Sequence, residues 1–209
     1  MRAPARRHPL PTSLRGPGAP DAALLVVGVL LASVHPAAAH IVGQAGGFSS
    51  GIAHPLTGPD HFLAMLAVGI WGAQMGGRAV WTLPVTFPLI MTLGGIAGMM
   101  GLPMPSIELG IAVSIVALGT AIAAAWRPPE AVALLMVAVF ALFHGYAHGA
   151  ELPRAADPAN YAAGFVIATG AIHLLGIAIG LVATRPFGGV PARLIGAAIA
   201  LSGVWFLAA

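Results

Sequence analysis

The residues able to do chemistry fall in three short strings. The first is HPLTGPDHFLAM at 54–65, which carries His54, Asp60, His61 and Met65. The second is HGYAHGAE at 144–151, with His144, His148 and Glu151, and the third sets His173 alone in GAIHLLG. On a helix, positions i, i+4 and i+7 fall within about 60° of one another, so His144, His148 and Glu151 form one imidazole–imidazole–carboxylate stripe. His54 and His61 are also seven apart and share a face of a regular helix. Pro55 and Pro59 interrupt that regularity, and Pro59 is expected to kink or restart the helix near Gly58. Asp60 points about 120° away from His54 on a straight helix. It is therefore either a ligand brought round by the kink or an acceptor that orients an imidazole. Imidazoles with carboxylates suit Zn, Ni, Co, Cu(II) or Fe, not Mg or Ca. Met65, one turn after His61, offers a thioether, although filling a core gap is its commoner use.

The elements that hold these side chains are unusual. Of 209 residues, 58% are hydrophobic and only 7% charged, and cysteine and lysine are absent. Ordinary soluble domains run near a quarter charged. The composition excludes a soluble globular enzyme, a disordered chain and a coiled coil. The lack of cysteine removes disulfides, thiolate metal sites and cysteine nucleophiles. Six long apolar runs, about 53–73, 79–101, 106–126, 131–150, 161–183 and 192–208, are joined by short connectors rich in proline and glycine. Most reach the ~20 residues that cross a bilayer. Runs of this length without alternation are helices. The expected fold is all-α, a polytopic membrane protein with a six-transmembrane-helix bundle. The pairs Gly72/Gly76, Gly94/Gly98 and Gly176/Gly180 are expected to let helices approach closely. Ionisable groups inside such spans are costly and point to function. Counting along the spans sets His173 near the midplane, His61 and His144 at intermediate depth, and His148 and Glu151 toward the outer mouth.

The first 39 residues read differently. Arg2, Arg6, Arg7 and Arg15 precede the short apolar run AALLVVGVLLA at 23–33, then SVHPAAA. That is the order of a secretory signal peptide, with cleavage expected after Ala39. The domains are then 1–39, signal peptide, and 40–209, membrane domain. His40 becomes the first mature residue, and its α-amine and imidazole can chelate one ion together. Beyond residue 39, five arginines face five acids, so the basic signal for nucleic acid disappears. With His40 outside, Arg78, Arg127, Arg185 and Arg193 fall on the inner side and only Arg154 on the outer, as the positive-inside rule requires. The chain is expected in the bacterial inner membrane, multi-pass, with the lipid bilayer as its surroundings. The sequence leaves the oligomeric state open, a homo-oligomer included.

At these residues the chain resembles the HupE/UreJ family of membrane proteins linked to hydrogenase and urease accessory genes. HPLTGPDHFLAM looks like the family's first-span signature. FHGYAHGAELP is similar to its second motif, and YAAGFVIATGAIHLLG to its fifth-span motif around His173. Tyr146 departs from the pattern, since some relatives carry another His there. The resemblance implies import of nickel, or of cobalt as an alternative cargo, with no permanently bound cofactor. It also implies an indirect link to hydrogenase or urease maturation. By motif it marks His54, Asp60, His61 and Met65 as functional, with His144, His148, Glu151 and His173 in support. No nucleotide-binding motif is present, so no ATPase activity is expected in this chain. Two rival readings use the same groups. An intramembrane zinc-dependent hydrolase would activate water on a His/Asp site, and a bis-His haem protein would pair histidines from different spans. No serine partner or extra base lies near either motif, which favours a non-enzyme.

Overall fold

The structure, a computed structural model, describes residues 47–152 and 157–208. The signal segment 1–39, His40 and Arg154 lie outside the described residues. Seven α-helices are present among them: α1 Phe48–Thr57, α2 Pro59–Met75, α3 Ala79–Met99, α4 Ile107–Ala123, α5 Glu130–Ala150, α6 Pro158–Ala183 and α7 Val190–Ala208. A 3₁₀ turn, Pro186–Gly189, leads into α7.

The first expected span is two helices. Gly58 is extended, with φ −85° and ψ 103°, and Pro59 starts α2. Proline disfavours the helical conformation in the residue before it, yet fits the first helical position, where its missing N–H is not needed. The Gly58 amide still donates to the His54 carbonyl at 3.0 Å, so α1 closes properly before α2 begins.

Length and composition suit four helices to crossing a bilayer: α3, α5, α6 and the stretch Pro186–Ala208. α4 is apolar but shorter, at 17 residues. α2 also has 17 residues, and the run from Leu63 to Gln74 is buried throughout. A helix buried on all sides is a core element, and α2 packs against α3, α4 and α6. α3 pairs with α5, α4 with α7, and α1 with α6. The outward faces are apolar: Val182, Leu135 and Leu201 are 73%, 67% and 63% exposed. Water would penalise so much exposed hydrocarbon, whereas lipid would not.

Small residues set the helix separations. A side chain at Gly69 of α2 would run into the backbone of α6 at His173, Gly176 and Ile177. Gly94 and Gly98 of α3 meet the α5 backbone in the same way. Gly76 corrects the expected pairing. It has φ +76° with nothing within 4 Å, so it serves the turn after α2 and not a helix contact.

At the end of α2 away from the histidines, side chains satisfy the carbonyls near the α4 C-terminus. Gln74 Nε2 donates to Ile122, Trp71 Nε1 to Trp126 and Arg193 Nε to Ala123, at 3.0, 3.0 and 2.9 Å. Side chains of α2 and α7 thus pin the end of α4 and the connector after it.

Candidate metal site

The helix break at Gly58 turns two histidines toward one point. His54 sits in the last turn of α1, and His61 in the first turn of α2. Their rings meet edge-on with centroids 5.8 Å apart. His148, near the C-terminus of α5, closes the group, with its ring 4.7 Å from that of His54 and 4.4 Å from that of His61. One nitrogen from each of the three lies within 4.8 Å of the others. Nitrogens bound ~2.0–2.1 Å from one ion sit closer than this, so the rings would have to draw together around a guest.

The neighbours leave these nitrogens free. Asp60 Oδ1 accepts from His61 at both the backbone N and Nδ1, each at 2.8 Å. Asp60 is therefore placed to fix the His61 ring, and His61 Nε2, which has no partner, is the outward-facing donor atom. A carboxylate behind an imidazole is the usual way to set tautomer and orientation at a metal ligand. His144 is arranged alike: Nδ1 bonds the Phe140 carbonyl at 3.0 Å, and Nε2 has no partner. An acceptor on Nδ1 leaves Nε2 as the lone-pair nitrogen. Neither nitrogen of His148 has a partner. Buried polar atoms almost always find one, and each that does not costs about 1–3 kcal/mol. A cationic guest would take the lone pairs of His61 Nε2 and of one His148 nitrogen together.

The predicted residues divide by position. His54, His61 and His148 come together, and His144 adjoins His61 with ring centroids 5.1 Å apart. Asp60 stands behind the group through its bond to His61. Glu151 caps the C-terminus of α5 and is exposed, while the two histidines of its stripe are buried. Met65 is fully buried among apolar side chains of the core. His173 lies apart, beyond the Phe87 ring, which stands edge-on to both His144 and His173 at 5.5 and 5.4 Å. Tyr146, in the position of the departing motif residue, donates from its hydroxyl to the Leu102 carbonyl in the α3–α4 connection. Phe87 was not singled out by sequence, because nothing local ties position 87 to a histidine. Phe165 was also missed; its ring packs 4.2 Å from that of His148 and walls the group.

His54 is only half-buried, so the cluster has one accessible edge. A cavity of about 100 Å³ beside it is lined by His148, Tyr161, Phe165, Met91 and Met99. An all-helical bundle with a hydrocarbon exterior and converging imidazoles inside it defines a class: a multi-pass membrane protein built around a histidine cluster. The chain belongs to the HupE / UreJ protein family, whose profile matches residues 26–206. It is similar to Protein HupE of Rhizobium leguminosarum bv. viciae, at 42% identity over 169 residues, covering 81% of this chain and 88% of that protein. No solved structure matches the chain.

Proposed function

We propose that this chain is a secondary permease importing a divalent transition-metal ion across the bacterial inner membrane. Nickel is the expected cargo, with cobalt as the alternative, and a metalloenzyme such as hydrogenase or urease is the destination. One observation carries the reading: imidazoles from α1, α2 and α5 converge within 4.8 Å, and buried nitrogens of His61 and His148 have no protein partner. Nitrogen donors of this kind suit nickel, cobalt and zinc and disfavour magnesium and calcium. Membership of the HupE / UreJ family supports the choice of nickel.

In this account the chain crosses the bilayer six times, on α2 to α7. The half-helix α1 dips in ahead of α2, and the N-terminus lies outside after signal cleavage. The ion is captured at the outer mouth by Glu151, His148 and His40. It loses part of its water shell among His54, His61 and His148, with His144 beneath them. It then moves inward past Phe87 toward His173. Asp60 positions His61 throughout.

The test is uptake of radioactive nickel by cells expressing the parent protein, His61→Ala or His144→Ala at matched membrane levels. Uptake by the parent that both substitutions abolish is the expected result, with cobalt and zinc competition ranking the cargo. No uptake above empty cells, with metal still retained by the purified protein, would overturn the permease and favour the intramembrane hydrolase.

A further inference from the structure

Two polar side chains of α6 play no part in the outer cluster. Thr169 is 0% exposed, and its hydroxyl has no hydrogen-bond partner. His173 is 2% exposed, and neither ring nitrogen has one. Positions four apart stack on one helix face, so both groups look the same way one turn apart. Threonine hydroxyls in helices commonly fold back onto the carbonyl one turn earlier. Thr57, Thr92 and Thr184 do so here, on Ala53, Pro88 and Gly180. Thr169 does not, which leaves its oxygen available to a guest. His173 also lines a cavity of about 390 Å³ between α3 and α6.

We propose that Thr169 and His173 form a second, weaker station for the same divalent cation, with water completing its coordination. The proposal rests on the permease reading above. A path that only captures does not conduct; the ion must also be able to leave. Three imidazoles hold a borderline cation firmly, whereas one imidazole, one neutral hydroxyl and water hold it less so. The Phe87 ring touches both places, edge-on to His144 at 5.5 Å and to His173 at 5.4 Å. The weaker station lies where an inward-moving ion would next arrive.

The experiment is equilibrium binding of radioactive Ni²⁺ to the purified full chain in detergent. It compares the parent with Thr169→Val, Thr169→Ser, His173→Ala and His148→Ala. The parent is expected to bind two ions per chain, one tightly and one weakly. Thr169→Val and His173→Ala lose the weak equivalent, Thr169→Ser retains it, and His148→Ala loses the tight one. Thr169→Val removes a hydroxyl that bonds nothing, so its melting temperature is expected to match the parent's, which separates lost binding from lost fold. A single equivalent in the parent, or both equivalents surviving in Thr169→Val, overturns the second station and leaves the outer site standing. No nickel binding by the parent overturns the permease reading and the station together.

Discussion

The Asp60–His61 pair sets the donor atom of the cluster. With Nδ1 held at 2.8 Å by the carboxylate, Nε2 is presented to the other two imidazoles. Asp60→Ala removes that hold, and the ring is then free to rotate or change tautomer. Loss of such an orienting partner lowers metal affinity by about 10–100-fold. Nickel titration of the purified variant checks this, and affinity unchanged from the parent would show that Asp60 does not position the ligand. Protons compete for the same nitrogens, because a protonated ring has no lone pair for a metal. Nickel is therefore expected to leave the site once acidification protonates the rings, read as bound nickel against pH, and a site that kept its nickel undiminished in strong acid would contradict imidazole ligation. The sequence made part of this legible. The stripe of His144 and His148 follows from helical period alone, and the restart at Gly58 follows from Pro59. The choice between ligand and orienting acceptor for Asp60 did not, because it depends on how the first turn of α2 folds back on itself. The separation of Glu151 from its stripe depends on where α5 ends, and helix ends are the least legible part of any periodic pattern.

At the scale of elements, the contact between α2 and α6 governs both histidine positions. A methyl group at Gly69 would lie 2.9 Å from Gly176 Cα and from the Ile177 amide nitrogen. Backbone cannot rotate out of the way, so the helices must separate. Gly69→Ala is expected to cost about 1–3 kcal/mol, the usual penalty of overpacking. Gly170→Ala, with nothing within 4 Å of the added carbon, is expected to be neutral or slightly stabilising, since alanine is the better helix former. Thermal unfolding of the two variants in detergent makes the comparison; equal midpoints would show that the α2–α6 spacing is not set at Gly69. The small-residue pairs Gly94/Gly98 and Gly176/Gly180 were readable as close-approach positions from spacing alone. Which helix each would meet was not, because partners 40 to 110 residues away leave no mark in a local pattern (α3 with α5, α2 with α6). Phe87 illustrates the same limit, since its place between two histidines exists only once α3, α5 and α6 are packed.

For the whole molecule, the central question is which ends face which side. The absence of cysteine makes this directly measurable. Single cysteines at exposed connector positions, Pro105→Cys and Arg127→Cys, are expected to react with an impermeant thiol reagent from opposite sides of the membrane. Position 105 is reached in intact spheroplasts, and position 127 only after permeabilisation. Labelling of both from the same side would contradict a crossing by α4, whose 17 residues are few for a span. Overall hydrophobicity and the all-helical character were accessible from the sequence. The fully buried position of α2 was not, because it is set by the packing of α3, α4 and α6 around it, which no local pattern records. That arrangement gives the account its physical logic. A central helix buried among its neighbours carries His61 to the meeting point of α1 and α5, where ring nitrogens of His61 and His148 are left for a cation.

The most direct test of that claim is X-ray absorption at the nickel edge on purified, nickel-loaded protein, beside His148→Ala. The account predicts imidazole scattering from about three rings, with one ring fewer in the variant. A shell of oxygen ligands alone, or a spectrum unaltered by loss of His148, would contradict it.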